Sequence, residues 1–105
     1  MRTIRAGSTV VKAPNAKEVF RFDWGTEHFS AAPLLQIVSA EFFIVGVDAV
    51  LTKDNEGIEA GNRSTQLRLK AGTLDVKYKV TNRIVTNEAI PQTKDASFYV
   101  TIKER

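Results

Sequence analysis

The sequence predicts an all-β fold: a single immunoglobulin-like β-sandwich of about seven strands. Three observations predict it. Apolar residues recur at every second position in short runs. Turn-forming residues separate those runs at roughly 8–12-residue spacing. No stretch carries an apolar stripe at helical spacing. The 105 residues are one domain's worth, and 43% hydrophobic with 26% charged residues is an ordinary globular composition. The domain is expected to span 1–105, with 1–7 and 103–105 as loose, flexible ends.

The runs follow in order. Residues 8–12 are a weak strand candidate. In 19–24, Phe20, Phe22 and Trp24 share one face, and Arg21 and Asp23 the other. In 37–45, Val38, Ala40, Phe42 and Ile44 share a face, while the opposite face starts polar at Ser39 and Glu41 and turns apolar at Phe43 and Val45. Residues 47–52 form a second weak candidate. Thr65, Leu67 and Leu69 alternate with Gln66, Arg68 and Lys70. Leu74, Val76, Tyr78 and Val80 alternate with charged or polar neighbours, and so do Phe98, Val100 and Ile102. Between the candidates stand Pro14-Asn15, Gly25-Thr26, Gly46, residues 54–57, Gly61-Asn62, Gly72 and Pro91. The core expected from this pattern is Phe20, Phe22, Trp24, Val38, Phe42, Leu67, Leu69, Val76, Tyr78, Val80, Phe98, Val100 and Ile102. Tyr78 stands near the start of the penultimate strand. There its hydroxyl either bonds back to the backbone, as in a tyrosine corner, or simply ends at the rim of the core.

Several function classes find little support. No cysteine is present, so there is no disulfide, thiolate nucleophile or cysteine-held metal. The first residues lack an apolar signal-peptide core. The most apolar stretch, 34–51, is broken by Gln36, Glu41, Gly46 and Asp48 and is no membrane span. A cytosolic product with no membrane anchor is therefore expected. Net charge is +3, without a block of like charges, which does not call for nucleic acid.

Candidate chemistry is sparse. His28 is the only histidine. A Ser/His/Asp triad would pair it with Ser30 or Ser64, but no G-x-S-x-G elbow is present, and a solvated loop side chain is the simpler reading. Asp54, Glu56 and Glu59 offer oxygens to calcium but lack the fixed spacing of an EF-hand, so a solvated turn is expected. Glu41 and Asp23 are the only carboxylates considered for glycoside hydrolysis, and nothing in the sequence sets their separation. No phosphate-binding loop occurs. The chain is expected to be a non-enzyme without cofactors or metals. Arg68, Lys70, Lys77 and Lys79 lie on the wet sides of two strand candidates and form a basic face if those strands pair. Such a face suits an acidic partner or a phosphate backbone; solvation and edge protection are the simpler reading, and no aromatic stacking platform accompanies it.

The segments KAPNAKEVFRFDW (12–24), IVSAEFFI (37–44), STQLRLKAGTLDVKYKVTNRIVTN (64–87) and ASFYVTIKE (96–104) occur in that order. In order and spacing they resemble a family of small tailed-bacteriophage virion proteins, commonly described as fibre–tail adaptors or minor structural proteins. The most specific part is Gly72-Thr73 followed by the run from Tyr78 to Thr86. Two positions depart from the family pattern, with Ala71 and Asp75 standing where glycines are usual. The resemblance implies an immunoglobulin-like sandwich and a non-enzymatic adaptor or connector of tail, neck and fibre proteins. It also implies location in the virion after synthesis in the host cytoplasm, and several copies around the tail axis. It suggests that residues 82–91 form a hairpin contacting neighbouring virion proteins through Arg83, Ile84, Val85 and Ile90; the alternative is that Ile84 and Ile90 close the core. A capsid-decorating protein is one rival reading. A host-surface or glycan-binding module, using Trp24, Phe29 or Tyr99, is another.

Overall fold

The computed structural model describes residues 2–27 and 34–104. His28, Phe29 and Ser30, considered above, lie outside them. Eight strands and one helical turn make up the described fold: β1 (Arg2–Ile4), β2 (Thr9–Lys12), β3 (Glu18–Phe22), α1 (Trp24–Glu27), β4 (Ile37–Val45), β5 (Thr52–Ile58), β6 (Thr65–Lys70), β7 (Lys77–Thr86) and β8 (Thr93–Ile102). They form two four-stranded sheets, ordered β1-β3-β6-β5 and β2-β8-β7-β4. The all-β sandwich read from the sequence is thus present. It has eight strands rather than seven, and it is mixed. An immunoglobulin sandwich is built of antiparallel sheets; here β1 runs parallel to β3, and β2 parallel to β8.

The sheets close on each other because each strand buries one side. β6 alternates strictly between buried and half-buried residues, and β7 buries Tyr78, Val80, Asn82, Ile84 and Thr86 in succession. Phe20 of the first sheet meets Phe98 of the second across the interior, with ring centroids 5.8 Å apart. Trp24 stacks at a tilt beside Phe22 at 5.0 Å. Trp24 does not extend β3. It opens α1, which Asp23 caps by accepting from the Thr26 amide at 3.1 Å and from its hydroxyl at 2.9 Å.

Five expectations need correction. Val38 is 58% exposed, and Ile37 takes its core position. A bulge between Ile37 and Ser39 inverts the phase there, and the expected pattern resumes at Ala40. Residues 47–51 are not strand; β5 begins at Thr52 and runs through the expected turn at 54–57. That turn is a bulge inside the strand, with pairing stepping from Asp54↔Arg68 to Gly57↔Gln66 and Asn55 at φ 49°. Val76 only borders the core. Within the expected loose N-terminal end, Arg2–Ile4 forms β1, anchored by the buried Ile4.

A polar hub joins the two sheets inside the sandwich. Asn82 on β7 accepts from Trp24 Nε1 at 2.7 Å and from Thr65 Oγ1 on β6 at 2.7 Å. Its amide nitrogen donates to the Glu41 carbonyl on β4 at 3.0 Å. Both ends of this buried side chain are satisfied, which is what makes its burial tolerable.

Candidate interaction surface

The outward faces of the two sheets are chemically different. On the first, cations and carboxylates alternate across neighbouring strands and pair. Arg68 holds Asp54 through two bonds of 2.8 and 2.7 Å, and Lys70 adds a third at 3.2 Å. Arg21 Nε meets Glu59 at 2.5 Å, Arg2 lies 3.7 Å from Glu18, and Lys53 pairs with Glu56. The hydrogen bonds from Arg68 hold the Asp54 carboxyl well below the usual aspartate range. Each member of the expected acidic cluster, Asp54, Glu56 and Glu59, is therefore committed to a cation.

The second sheet's outward face is built differently. Register sets Glu41, Arg83 and Asp95 in one row, Phe43, Thr81 and Ser97 in the next, and Val45, Lys79 and Tyr99 in a third. Phe43 and Val45 are 39% and 62% exposed. Every large hydrophobic residue exposed on a described strand (Val11, Val38, Phe43, Val45) belongs to this sheet. Among the described residues Arg83 is the one cation ion-paired on this face, bonding Asp95 at 2.8 and 3.0 Å and lowering that carboxyl's pKa by these bonds. Its guanidinium also lies 5.1 Å from the centre of the Phe43 ring. Lys77 lies over Tyr99 at 4.7 Å. Among the described residues, neither Lys77 nor Lys79 has an ion-pair partner.

The expected basic face does not form. Arg68 and Lys70 lie on β6 in the first sheet, while Lys77 and Lys79 lie on β7 in the second. The connection at 71–76 carries the chain from one sheet to the other, so β6 and β7 never pair. The expected hairpin interface is also divided. Ile84 is fully buried in the core, and Ile90, beyond the end of β7, is 82% exposed. Replacing both with Ser would damage the fold through Ile84. Val85 is half-buried, and Arg83 is exposed on the second sheet's outer face. Glu41 lies on β4, while Asp23, outside any strand, is the cap of α1. Trp24 is 1% exposed and cannot meet a glycan. The residues the sequence reading did not place in a site are Phe43 and Val45. The available signal was the apolar turn of the wet face of 37–45.

The connection at 71–76 is organised by Tyr78. Its hydroxyl accepts from the Thr73 amide at 3.0 Å, the tyrosine-corner bond to an upstream backbone, and donates to Asp48 at 2.6 Å. Thr73 Oγ1 also donates to Asp48, at 2.8 Å. The Tyr78 hydroxyl, more than any other neighbour, draws the Asp48 pKa down. Ala71 and Asp75 have φ of 61° and 65°, and Gly72 of 112°. At φ 112° a side chain on Gly72 would be strained, and its Cβ would come within 2.6 Å of Ile102 Cδ1.

Comparison with known proteins follows the same lines. A crystal structure of the cysteine protease inhibitor EhICP2 from Entamoeba histolytica is similar, with a TM-score of 0.56 over 97% of this chain and 94% of that one. At 9% identity the likeness is one of fold alone. No curated protein matches the chain. The family model described as podophage GP4 fiber-tail adaptor protein gp77 matches residues 12–101. That span takes in the capped Trp24, the Asn82 hub, the Tyr78 corner and both outer faces, so the chain belongs to the podophage fibre–tail adaptor family of gp77.

Proposed function

We propose that this protein is a non-enzymatic connector in a phage particle that holds fibre proteins on the tail. The observation that carries the reading is the family match over 12–101. The surface we assign to the contact is the outward face of β4, β7 and β8. Its exposed Phe43 and Val45 supply apolar area, and Lys77 and Lys79 offer charges that no carboxylate among the described residues pairs. An apolar centre bordered by polar residues is how protein interfaces are built. Ile90, exposed beyond Thr86, lies at the opposite end of β7 from Lys77 and Lys79 and is not part of this surface. Partners are tail, neck and fibre proteins of the virion. Several copies around the tail axis would add modest contacts by avidity.

The test is immunogold electron microscopy of particles, using antibody against the recombinant protein, with wild type and Lys77→Glu/Lys79→Glu compared. Label where fibres join the tail, lost together with the fibres in the double variant, supports the connector. Label over the shell would move the protein to the capsid-decorating class. Particles that carry their fibres unchanged in the double variant would overturn the assigned surface.

A further inference from the structure

A sandwich of two open sheets has four edge strands, and three of these are guarded. β1 has three residues and β2 four. β5 is bulged and carries Lys53, Asp54 and Glu56. Short length, bulges and charge are the usual defences against pairing with another chain. β4 is different. It has nine residues, pairs only with β7, carries the single charge Glu41, and ends in Phe42-Phe43-Ile44-Val45. Its one bulge lies at the far end, between Ile37 and Ser39. A groove of about 630 Å³ runs along the unguarded half, lined by residues 42–45 and 51–53.

We propose that this edge pairs antiparallel with β4 of a second copy of the chain, with the two-fold axis at Phe43. The two sheets would then join into one of eight strands across the dimer. Charge selects both the occupant and the register. With the axis at Phe43, Glu41 faces Val45 of the second copy, and Val45 is the cross-strand neighbour of Lys79. Glu41 thereby reaches the lysine that has no ion-pair partner among the described residues of its own chain, twice per dimer. Shifting the axis to Glu41 would set like charges opposite each other, which is destabilising. The contact is isologous, so each copy offers the same surface and the assembly closes at two. This inference does not rest on the connector reading, since it concerns the isolated protein.

Sedimentation velocity over a concentration series, up to the solubility limit, tests it. Wild type is expected to be a dimer. Val45→Lys, which puts a guarding charge on an exposed edge position, should weaken dimerisation at least about tenfold with the far-UV circular dichroism spectrum unchanged. The absence of native cysteine allows a second arm. Directly opposed residues of an antiparallel pair have Cα atoms about 4.5–5.5 Å apart, within disulfide reach. Phe43→Cys should therefore give a disulfide-linked dimer on mild oxidation, and Val11→Cys on the β2 edge should not. A wild-type monomer throughout overturns the proposal. So does a dimer that Val45→Lys leaves intact, or one trapped through Val11→Cys and not through Phe43→Cys.

Discussion

The two outward faces come from strands of similar alternation, yet one is closed and the other open. On the β1-β3-β6-β5 face, Arg21, Arg68 and Lys70 each meet a carboxylate on a neighbouring element. On the β2-β8-β7-β4 face, only Arg83 does so among the described residues, and Phe43 and Val45 stand exposed beside Lys79. Exposed ion pairs stabilise little, with a median of about 0–1 kcal/mol. The closed face is thus saturated rather than strongly stabilised, and has few charges left for a partner. The open face keeps its lysines and apolar surface available. The contrast concerns binding, while folding depends on the contacts between the sheets.

The largest expected effect lies in those contacts. Trp24→Ala removes the biggest buried side chain and leaves Asn82 and Thr65 in a half-emptied network. A loss of about 3–5 kcal/mol is expected in denaturant unfolding, the range for large aromatic truncations. A domain of this size has little more than that to lose. If the variant melted like wild type, the coupling of the two sheets through Trp24 and Asn82 would be refuted.

The next effect is smaller and of opposite sign. Ala71 sits at φ 61° in the connection that carries the chain between the two sheets. The left-handed conformation costs an ordinary residue about 1–2 kcal/mol. Glycine removes that cost but loses about 0.5–1 kcal/mol through its freer unfolded chain. Ala71→Gly should therefore stabilise by roughly 0.5–1 kcal/mol, read as a rise in the denaturation midpoint. A fall would show that the Ala71 methyl makes contacts that outweigh its backbone strain.

These positions also mark what the sequence made legible. Strict alternation at 65–70 and 77–82 was readable because one face is buried throughout, and period two has no competing interpretation there. Val38 was misread because a bulge shifts phase without any glycine or proline to announce it. The turn signal at 54–57 was real chemistry used inside a strand, since Asn55 accepts φ of 49° without ending the ladder. The basic face failed for a topological reason. Strands adjacent in sequence are expected to pair, but the Gly72 connection crosses between sheets. The exposed pair Phe43 and Val45 was visible as an apolar turn on a wet face, although sequence alone could not say that β4 is an edge.

A third effect appears only in acid. Asp48 links the β4–β5 and β6–β7 connections through Tyr78 and Thr73, and its pKa in the folded protein is depressed. A depressed carboxylate contributes stability that is fully present above the unfolded value, about 3.9. It is lost as pH falls through the folded value. Stability should therefore decline below about pH 4, and Asp48→Asn should flatten part of that decline. Melting curves with the same acid slope in both proteins would remove Asp48 from the account.

The smallest stability effects come from reversing one lysine on each face, and they sharpen the comparison most. Lys70→Glu sets a carboxylate beside Asp54, in a cluster already balanced by Arg68. It should lower the melting temperature slightly, and the loss should shrink in high salt, because the repulsion is between partly exposed charges. Lys79→Glu breaks no ion pair within the chain among the described residues, and at concentrations where the protein is monomeric it should melt like wild type. In particle assembly the order should invert: Lys79→Glu should reduce fibre incorporation and Lys70→Glu should not. A Lys79→Glu variant that is both stable and fully incorporated would show that an open, unpaired face is not by that fact a binding face.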